Sequence, residues 1–306
     1  MTISVAPLVD GFVAELTGLD LRRTPDRDEL AVIVDALAKH GVLVIRGGLL
    51  TIVEQIRFAT LFGPLETAVG AVRRQRQSRF DSNEVVDVSN LKADGQLRNA
   101  DDSWRLMQHA NQLWHTDSSF KAIPGKYSFL HAHKIPPSGG DTEFADLRAA
   151  FDALDADTRA CIANLNAEHS MMHSRQLAGF VDYDDRDRAA YPPVSRPLVR
   201  RVPESARTSL YLASHASHII GWPVNEGRKL LDELTTFATQ QRFVYRHSWR
   251  VGDLVVWDNR CTMHRALPYD DQRYERDMRR TTVQDVFFDT GREKCDSRSM
   301  QSLQAE

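Results

Sequence analysis

The chain has 306 residues, 42% hydrophobic, 26% charged and 8% aromatic, which is enough apolar material for a sizeable core and excludes disorder over most of its length. Its 39 Lys and Arg against 42 Asp and Glu leave a net charge of -3, so no global basic field draws it to nucleic acid; a small-molecule partner is expected instead. Cys161, Cys261 and Cys295 are odd in number and widely spaced, against both a disulfide framework and a cysteine zinc site. The opening MTISVAPLVDGFVAEL has no secretory pattern, and no stretch approaches the about 18 apolar residues of a membrane span. No membrane association and a cytoplasmic location are expected.

Asp26 to Lys39 places Leu30, Ile33, Ala36 and Leu37 at helical spacing, with acids early and Lys39 late, and Gly41 stops the helix. The β-branched run VLVIRG, residues 42–47, reads as a buried strand, and a second helix runs from Ile52 to Phe62, before Gly63-Pro64. From Glu84 onward the segments EVVDVSN, KYSFLHAHKI, TSLYLASH, FVYRHSW and DLVVWD are short and β-rich. Helical spacing predicts helices over Asp146 to Leu165 and Asn225 to Gln240. The pattern is mainly β with flanking helices, a sandwich or jelly roll. With no repeat or low-complexity linker, residues 1–289 read as a single domain, and the polar stretch 290–306 as a flexible C-terminal tail.

Trp114-His115-Thr116-Asp117-Ser118 carries the central signal. Residues i and i+2 of an extended chain point to one face, so His115 and Asp117 can converge, with Trp114 and Thr116 turned away. By itself an HxD triplet is also compatible with a structural histidine near a surface aspartate. GDLVVWDNRCTMHRA, residues 252–266, offers a third ligand, because the strand LVVW and a polar turn bring His264 onto the next extended piece. Two histidines and one carboxylate form the facial triad that holds Fe(II) with coordination positions left open for a cosubstrate and oxygen. No HExxH helix supports hydrolytic zinc.

Sixteen residues after His264, in DMRRTTV, Arg280 can clamp a carboxylate bidentately, with Arg279 as its neighbouring candidate. In PPSGGDTEF, glycines allow a tight reversal before Thr142, whose hydroxyl can donate to the same carboxylate. Read alone, the first is a surface charge and the second a turn.

Taken together, WHTD, PPSGGDTEFADLRAA, WDNRCTMHRA and MRRTTV resemble, in order, the taurine dioxygenase and 2,4-dichlorophenoxyacetate dioxygenase family of Fe(II)/2-oxoglutarate enzymes. The resemblance runs from the N-terminal helix and FGPLE to about Asp285. ANQLWHTDSSF, SGGDTEFADLRAAFDAL, ASHASHIIGWP and FVYRHSWRVGDLVVWDNRC are most similar to its aryloxyacetate-degrading branch. It implies a cupin-like double-stranded β-helix with His115, Asp117 and His264 on iron. Arg280 and Thr142 would hold the distal carboxylate of 2-oxoglutarate, and Asn111 would touch substrate or cosubstrate. The implied reaction consumes O2 and 2-oxoglutarate and hydroxylates a small anionic aromatic substrate beside its ether oxygen. The hemiacetal so formed falls apart to a phenol and glyoxylate, alongside succinate and CO2.

The substrate-anion region, ETAVGAVRRQRQSRF, departs from that branch, with Arg73, Arg74 and Arg76 crowding the loop. Arg73 or Lys92 can meet the substrate carboxylate, and each also reads as an exposed loop charge. Among the remaining histidines, His215 and His218 in ASHASHIIG can line the pocket. His109, His131, His133, His169, His173 and His247 read as core or surface residues, and Trp222 and Trp257 as packing. Competing readings are a sulfonate or sulfate-ester dioxygenase of the same mechanism and a noncatalytic metal-binding jelly roll. A homo-oligomer is expected from the family.

Overall fold

The computed structural model describes residues 3–68, 79–180 and 185–286, without the side chains of residues 103, 106, 107 and 187. Its strands, in chain order, are β1 (Ser4–Val9), β2 (Val13–Thr17), β3 (Val42–Arg46), β4 (Val86–Ser89), β5 (Gly125–Lys134), β6 (Thr142–Asp146), β7 (Asn166–His169) and β8 (Val194–Pro197). They continue as β9 (Val199–Val202), β10 (Arg207–Leu210), β11 (Ala216–Ile219), β12 (Val244–His247), β13 (Asp253–Asp258), β14 (Thr262–Ala266) and β15 (Asp277–Gln284). A seven-stranded sheet runs β1-β2-β3-β13-β5-β15-β4, and a three-stranded sheet runs β12-β6-β14. Every pairing in these two sheets is antiparallel except β2 with β3.

Strand alternation builds two cores from the large sheet. Leu43, Ile45, Phe129, Leu254 and Val256 pack outward against Ile33, Leu37 and Phe58 of helices α1 (Arg27–His40) and α2 (Ile52–Thr60). Val42, Val44, Leu130, Ala132, Val255, Trp257 and Met278 turn inward onto Phe144 of β6. The small sheet repeats the device, since its Ala145 and Met263 pack outward with Leu147, Leu231 and Leu234 of the covering helices. Two facing sheets with helices outside make the jelly roll expected from the sequence.

The N-terminal helix begins where expected, because Asp26 and Glu29 form a reciprocal capping box; Gly41 ends it at φ 81°. Its last carbonyls are also held by a buried guanidinium: Arg148 donates to Lys39 O at 3.1 Å and His40 O at 2.7 Å, while Asp146 balances its charge at 3.0 Å. The second helix stops at Thr60 rather than Phe62, the chain passing through turns before Gly63.

The helix expected from Asp146 to Leu165 is two helices, Leu147–Asp152 and Ala156–Ile162, because Asp155 caps the second through Thr158 N. Asn225 to Gln240 corresponds to the helix Val224–Ala238. TSLYLASH is strand only to Leu210, and the N-terminal β1–β2 hairpin was not legible in its weakly alternating sequence. The 290–306 tail and the Arg73–Arg76 cluster lie outside the described residues. Among those described, no helix is long and apolar enough to cross a membrane.

Candidate metal centre

His264 lies on β14, opposite Phe144 of β6, and faces the interior. His115 belongs to no strand; it is bridged to β14 by two backbone hydrogen bonds, His115 N to His264 O at 3.0 Å and His264 N to His115 O at 2.8 Å. That bridge lays the two imidazoles together, with ring centroids 4.1 Å apart. As the i, i+2 argument requires, the carboxylate of Asp117 joins them: Oδ1 is 3.8 Å from His115 Nε2 and Oδ2 is 3.8 Å from His264 Nε2. One ligand atom from each of the three residues lies within 4.8 Å of the others, and all three residues are buried. Among the described residues no other group of three His, Cys, Asp or Glu gathers this way.

Neighbouring groups fix each ligand. His115 Nδ1 lies 2.8 Å from Leu113 O; a carbonyl only accepts, so Nδ1 carries the proton and Nε2 presents its lone pair. Burial pushes the pKa of both histidines down, well below the ordinary value for His264, so they are neutral and ready to ligate near pH 7. Burial works against ionisation of Asp117, but the Arg280 guanidinium beside it outweighs this and holds its carboxyl well below the usual range. Ser128 Oγ donates to Asp117 Oδ2 at 2.7 Å.

Asn259, in the WDNR segment, joins these pieces. Its Oδ1 accepts from Asp117 N at 3.1 Å and Trp257 Nε1 at 3.0 Å, while its Nδ2 donates to Ser128 Oγ at 2.9 Å. Trp257 also packs against His264 at 4.6 Å between centroids. A Cβ on Gly125 would come within 3.1 Å of Asp117 O and 3.4 Å of Asn259 Nδ2, so a larger residue there would crowd the ligand. The next residue after Asp117, Ser118, takes φ 58°, a left-handed conformation rare outside glycine, and donates to Glu66 Oε1 at 2.9 Å. The signal for Asn259 was present in the motif, but its bonds depend on β5 and the HxD segment meeting beside it.

The triad opens into a cavity lined by Val86, Trp104, Phe120, Met171, Arg175, His215 and Arg280, among others. His215 is at the site as expected: it is buried, and its ring meets Phe120 edge-on at 4.7 Å and His115 at 6.4 Å. Asn111 lines this cavity and the adjoining one, which extends past Val88 and Gln108 to Ala266 and Arg276. Sequence reasoning missed Trp104, Phe120 and Met171, because aromatic and apolar residues carry no spacing signal that separates a pocket wall from a core, and Arg175, which lies in none of the motifs.

The basic candidates separate. Lys92 is not brought to the site: its Nζ donates to Asn99 Oδ1 at 3.3 Å on an exposed turn, a correction to its expected contact with substrate. Arg279 faces the other side of β15, where its guanidinium lies 4.9 Å from the Phe80 ring. Arg280 faces inward and pairs directly with Asp117, so it stands at the metal end of the cavity, whereas a clamp for the far carboxylate of a chelated 2-oxoglutarate has to stand away from the metal. Arg276 was not singled out in the sequence. It is buried, donates through Nε to Gly140 O at 3.3 Å, and lines the adjoining cavity. Thr142, two residues beyond Gly140, is buried and accepts from Trp249 Nε1 at 3.0 Å.

Residues 4–282 match the family described as Taurine catabolism dioxygenase TauD, TfdA family. The chain belongs to this TauD/TfdA family. A relative from Cupriavidus pinatubonensis, named alpha-ketoglutarate-dependent 2,4-dichlorophenoxyacetate dioxygenase, is 47% identical over 93% of this chain and 99% of its own. A (S)-phenoxypropionate/alpha-ketoglutarate-dioxygenase from Sphingobium herbicidovorans is 36% identical over 87% of this chain and 90% of its own. The crystal structure of AAD-2 in complex with Mn(II) and N-oxalylglycine superposes with a TM-score of 0.85 at 44% identity, covering 93% of this chain and 97% of that one. A TauD/TfdA member with two neutral imidazoles and one carboxylate converging in a buried site has the donor set of a divalent iron centre.

Proposed function

We propose that this protein is an Fe(II)- and 2-oxoglutarate-dependent dioxygenase that hydroxylates an aryloxyalkanoate such as 2,4-dichlorophenoxyacetate beside its ether oxygen. The observation that carries the reading is the buried His115, Asp117 and His264 triad opening into an aromatic-lined cavity, in a chain 47% identical to a 2,4-dichlorophenoxyacetate dioxygenase. These three residues would hold Fe(II), which when bound supplies activation of O2 coupled to oxidative decarboxylation of 2-oxoglutarate.

The protein's part is position. Arg276 and Thr142 hold the distal carboxylate of 2-oxoglutarate, in place of the pairing with Arg280 expected from the sequence. Arg280, at the metal end, meets the substrate carboxylate. Trp104, Phe120 and Met171 take the aryl ring, and His215 and Asn111 close the wall beside it. In the overall balance one oxygen atom enters succinate and the other the substrate carbon, with CO2 released. The hydroxylated carbon is then a hemiacetal, and loss of the phenol leaves glyoxylate. Residues 1–289 act as one catalytic unit in this reading, in the cytoplasm and as a homo-oligomer; light scattering after size exclusion measures the last.

The test is succinate and phenol release by the purified protein with Fe(II), 2-oxoglutarate and O2, comparing 2,4-dichlorophenoxyacetate, taurine, an alkyl sulfate and no substrate. Equal phenol and succinate with the aryloxyacetate alone is the expected result. Succinate stimulated by taurine or the sulfate ester would keep the mechanism and change the substrate class. No succinate from protein shown to bind iron would favour a noncatalytic metal-binding jelly roll. In the same assay Arg276→Ala raises the 2-oxoglutarate requirement and Arg280→Ala the aryloxyacetate requirement; the reverse pattern would return Arg280 to the cosubstrate.

A further inference from the structure

Thr142 and Trp249 are both buried, and the indole Nε1 lies 3.0 Å from the threonine Oγ1. An indole N–H can only donate, so Oγ1 must be the acceptor in this bond. A hydroxyl has a single proton, and Thr142 Oγ1 makes no other hydrogen bond among the described residues. Its proton is therefore not taken up by any described residue. The neighbouring Arg276 guanidinium has only donors as well, and it reaches Gly140 O, two residues before Thr142 on the chain.

Trp249 is itself held from behind. Its ring meets His247 edge-on at 4.6 Å, and His247 pairs with Thr142 across β12 and β6. His247 Nε2 lies 3.1 Å from Asp253 Oδ2, which also accepts from Arg250 N at 2.9 Å and Arg46 Nη1 at 2.5 Å. The loop carrying Trp249 is thus pinned at the residues on both sides of the indole. The ring also packs among Phe144, Trp257 and Met278 in the inner core, which leaves it little freedom to turn.

We infer that Trp249 is a positioning residue for 2-oxoglutarate: by donating to one lone pair of Thr142 Oγ1, its indole N–H holds the hydroxyl oxygen and leaves its proton to be donated to the distal carboxylate. The inference rests on the proposed dioxygenase reading and on Thr142 as a cosubstrate contact. Its added content is that Thr142 and Arg276 meet this terminus as a pair of donors, and therefore favour a carboxylate over a terminus that must itself donate, such as the amide of 2-oxoglutaramate.

The test is calorimetric binding of N-oxalylglycine to the Mn(II)-loaded protein, with Mn(II) affinity and thermal midpoint as controls. Trp249→Phe keeps a ring and removes the N–H; it is expected to weaken binding about tenfold, the scale of a hydrogen bond to a charged group, with Mn(II) affinity unchanged. Thr142→Val should lose a similar factor, Thr142→Ser should restore binding, and the double variant Trp249→Phe/Thr142→Val should match Thr142→Val within about twofold, because the two residues act through one hydroxyl. Trp249→Phe should also narrow the preference for N-oxalylglycine over 2-oxoglutaramate.

Wild-type affinity in Trp249→Phe with binding lost in Thr142→Val overturns the orienting role and leaves Thr142 in place. Wild-type affinity in Thr142→Val removes Thr142, and this inference with it. A wild-type protein that holds Mn(II) and does not bind N-oxalylglycine takes down the dioxygenase reading itself. Should Trp249→Phe fail to fold, the indole N–H resonance of Trp249 in Zn(II)-loaded wild type decides: it is expected to shift on adding N-oxalylglycine and to stay still in Thr142→Val. A resonance that ignores N-oxalylglycine in wild type overturns the inference.

Discussion

On β5 and β15, neighbouring residues serve opposite faces of one sheet. Tyr127 and Phe129 pack outward into the core built with α1 and α2, and Arg279 lies against Phe80. Ser128, Leu130, Met278 and Arg280 turn inward, where Ser128 and Arg280 touch the Asp117 carboxylate and Met278 packs on Phe144 and Trp257. The outer face is apolar and closed by helices where Tyr127, Phe129 and Val283 lie, while the inner face trades apolar packing for buried polar groups at the metal end. A period of two therefore separates stability from chemistry within the same strands.

The most severe test of that separation is on the inner face. Asp117→Ala, or either His115→Ala or His264→Ala, is expected to abolish Fe(II) and Mn(II) binding and turnover while circular dichroism stays native. Metal affinity surviving any of the three would remove that residue from the ligand set.

On the outer face, Phe129→Ala should cost about 3–5 kcal/mol of stability by opening a cavity between the sheet and α2, with metal affinity unchanged wherever the variant is folded. Metal titrations beside urea unfolding check both halves. Loss of metal affinity in the folded variant would mean that the faces are coupled.

A smaller effect sharpens the comparison at adjacent positions. Arg280→Ala should raise the aryloxyacetate KM about tenfold or more, as for a charged hydrogen bond, and Arg279→Ala should leave it unchanged. Equal effects would mean that alternation does not separate the two guanidiniums.

The last concerns pH. Burial, reinforced by Arg196, pushes the pKa of His169 down to about 3. Below the unfolded value of 6.5 the unfolded chain binds a proton that the folded one refuses, so stability falls as pH drops from about 6.5 toward 3, by at most about 1.4 kcal/mol per pH unit for this group. Urea unfolding at pH 7.5 and 5 should show a shallower pH dependence in His169→Gln; an unchanged slope would show that other groups carry it.

The elements legible in the sequence were those with local signals. Helix α1 announced itself through Asp26, Glu29 and Gly41, and β13 through an unbroken apolar run. The break at Asp155 was hidden because helical spacing continues across it, although a capping aspartate was there to be read. Lys92 shows the same limit at the site. It was chosen by residue type and motif, yet it turns to Asn99 on an exposed turn.

By itself the sequence determined the jelly-roll class and the likeness to iron dioxygenases, and it singled out the candidate ligands His115, Asp117 and His264. That much is local chemistry, since two residues apart on an extended segment share a face and a histidine on a short strand follows a turn. The tertiary structure alone decided which arginine faces the metal and which stands away from it. That choice depends on the register of β15 against β5, including the irregularity between Asp277 and Met278, and on Gly140 and Trp249 arriving from distant segments. Register is set by the packing of whole sheets, which no run of neighbouring residues contains.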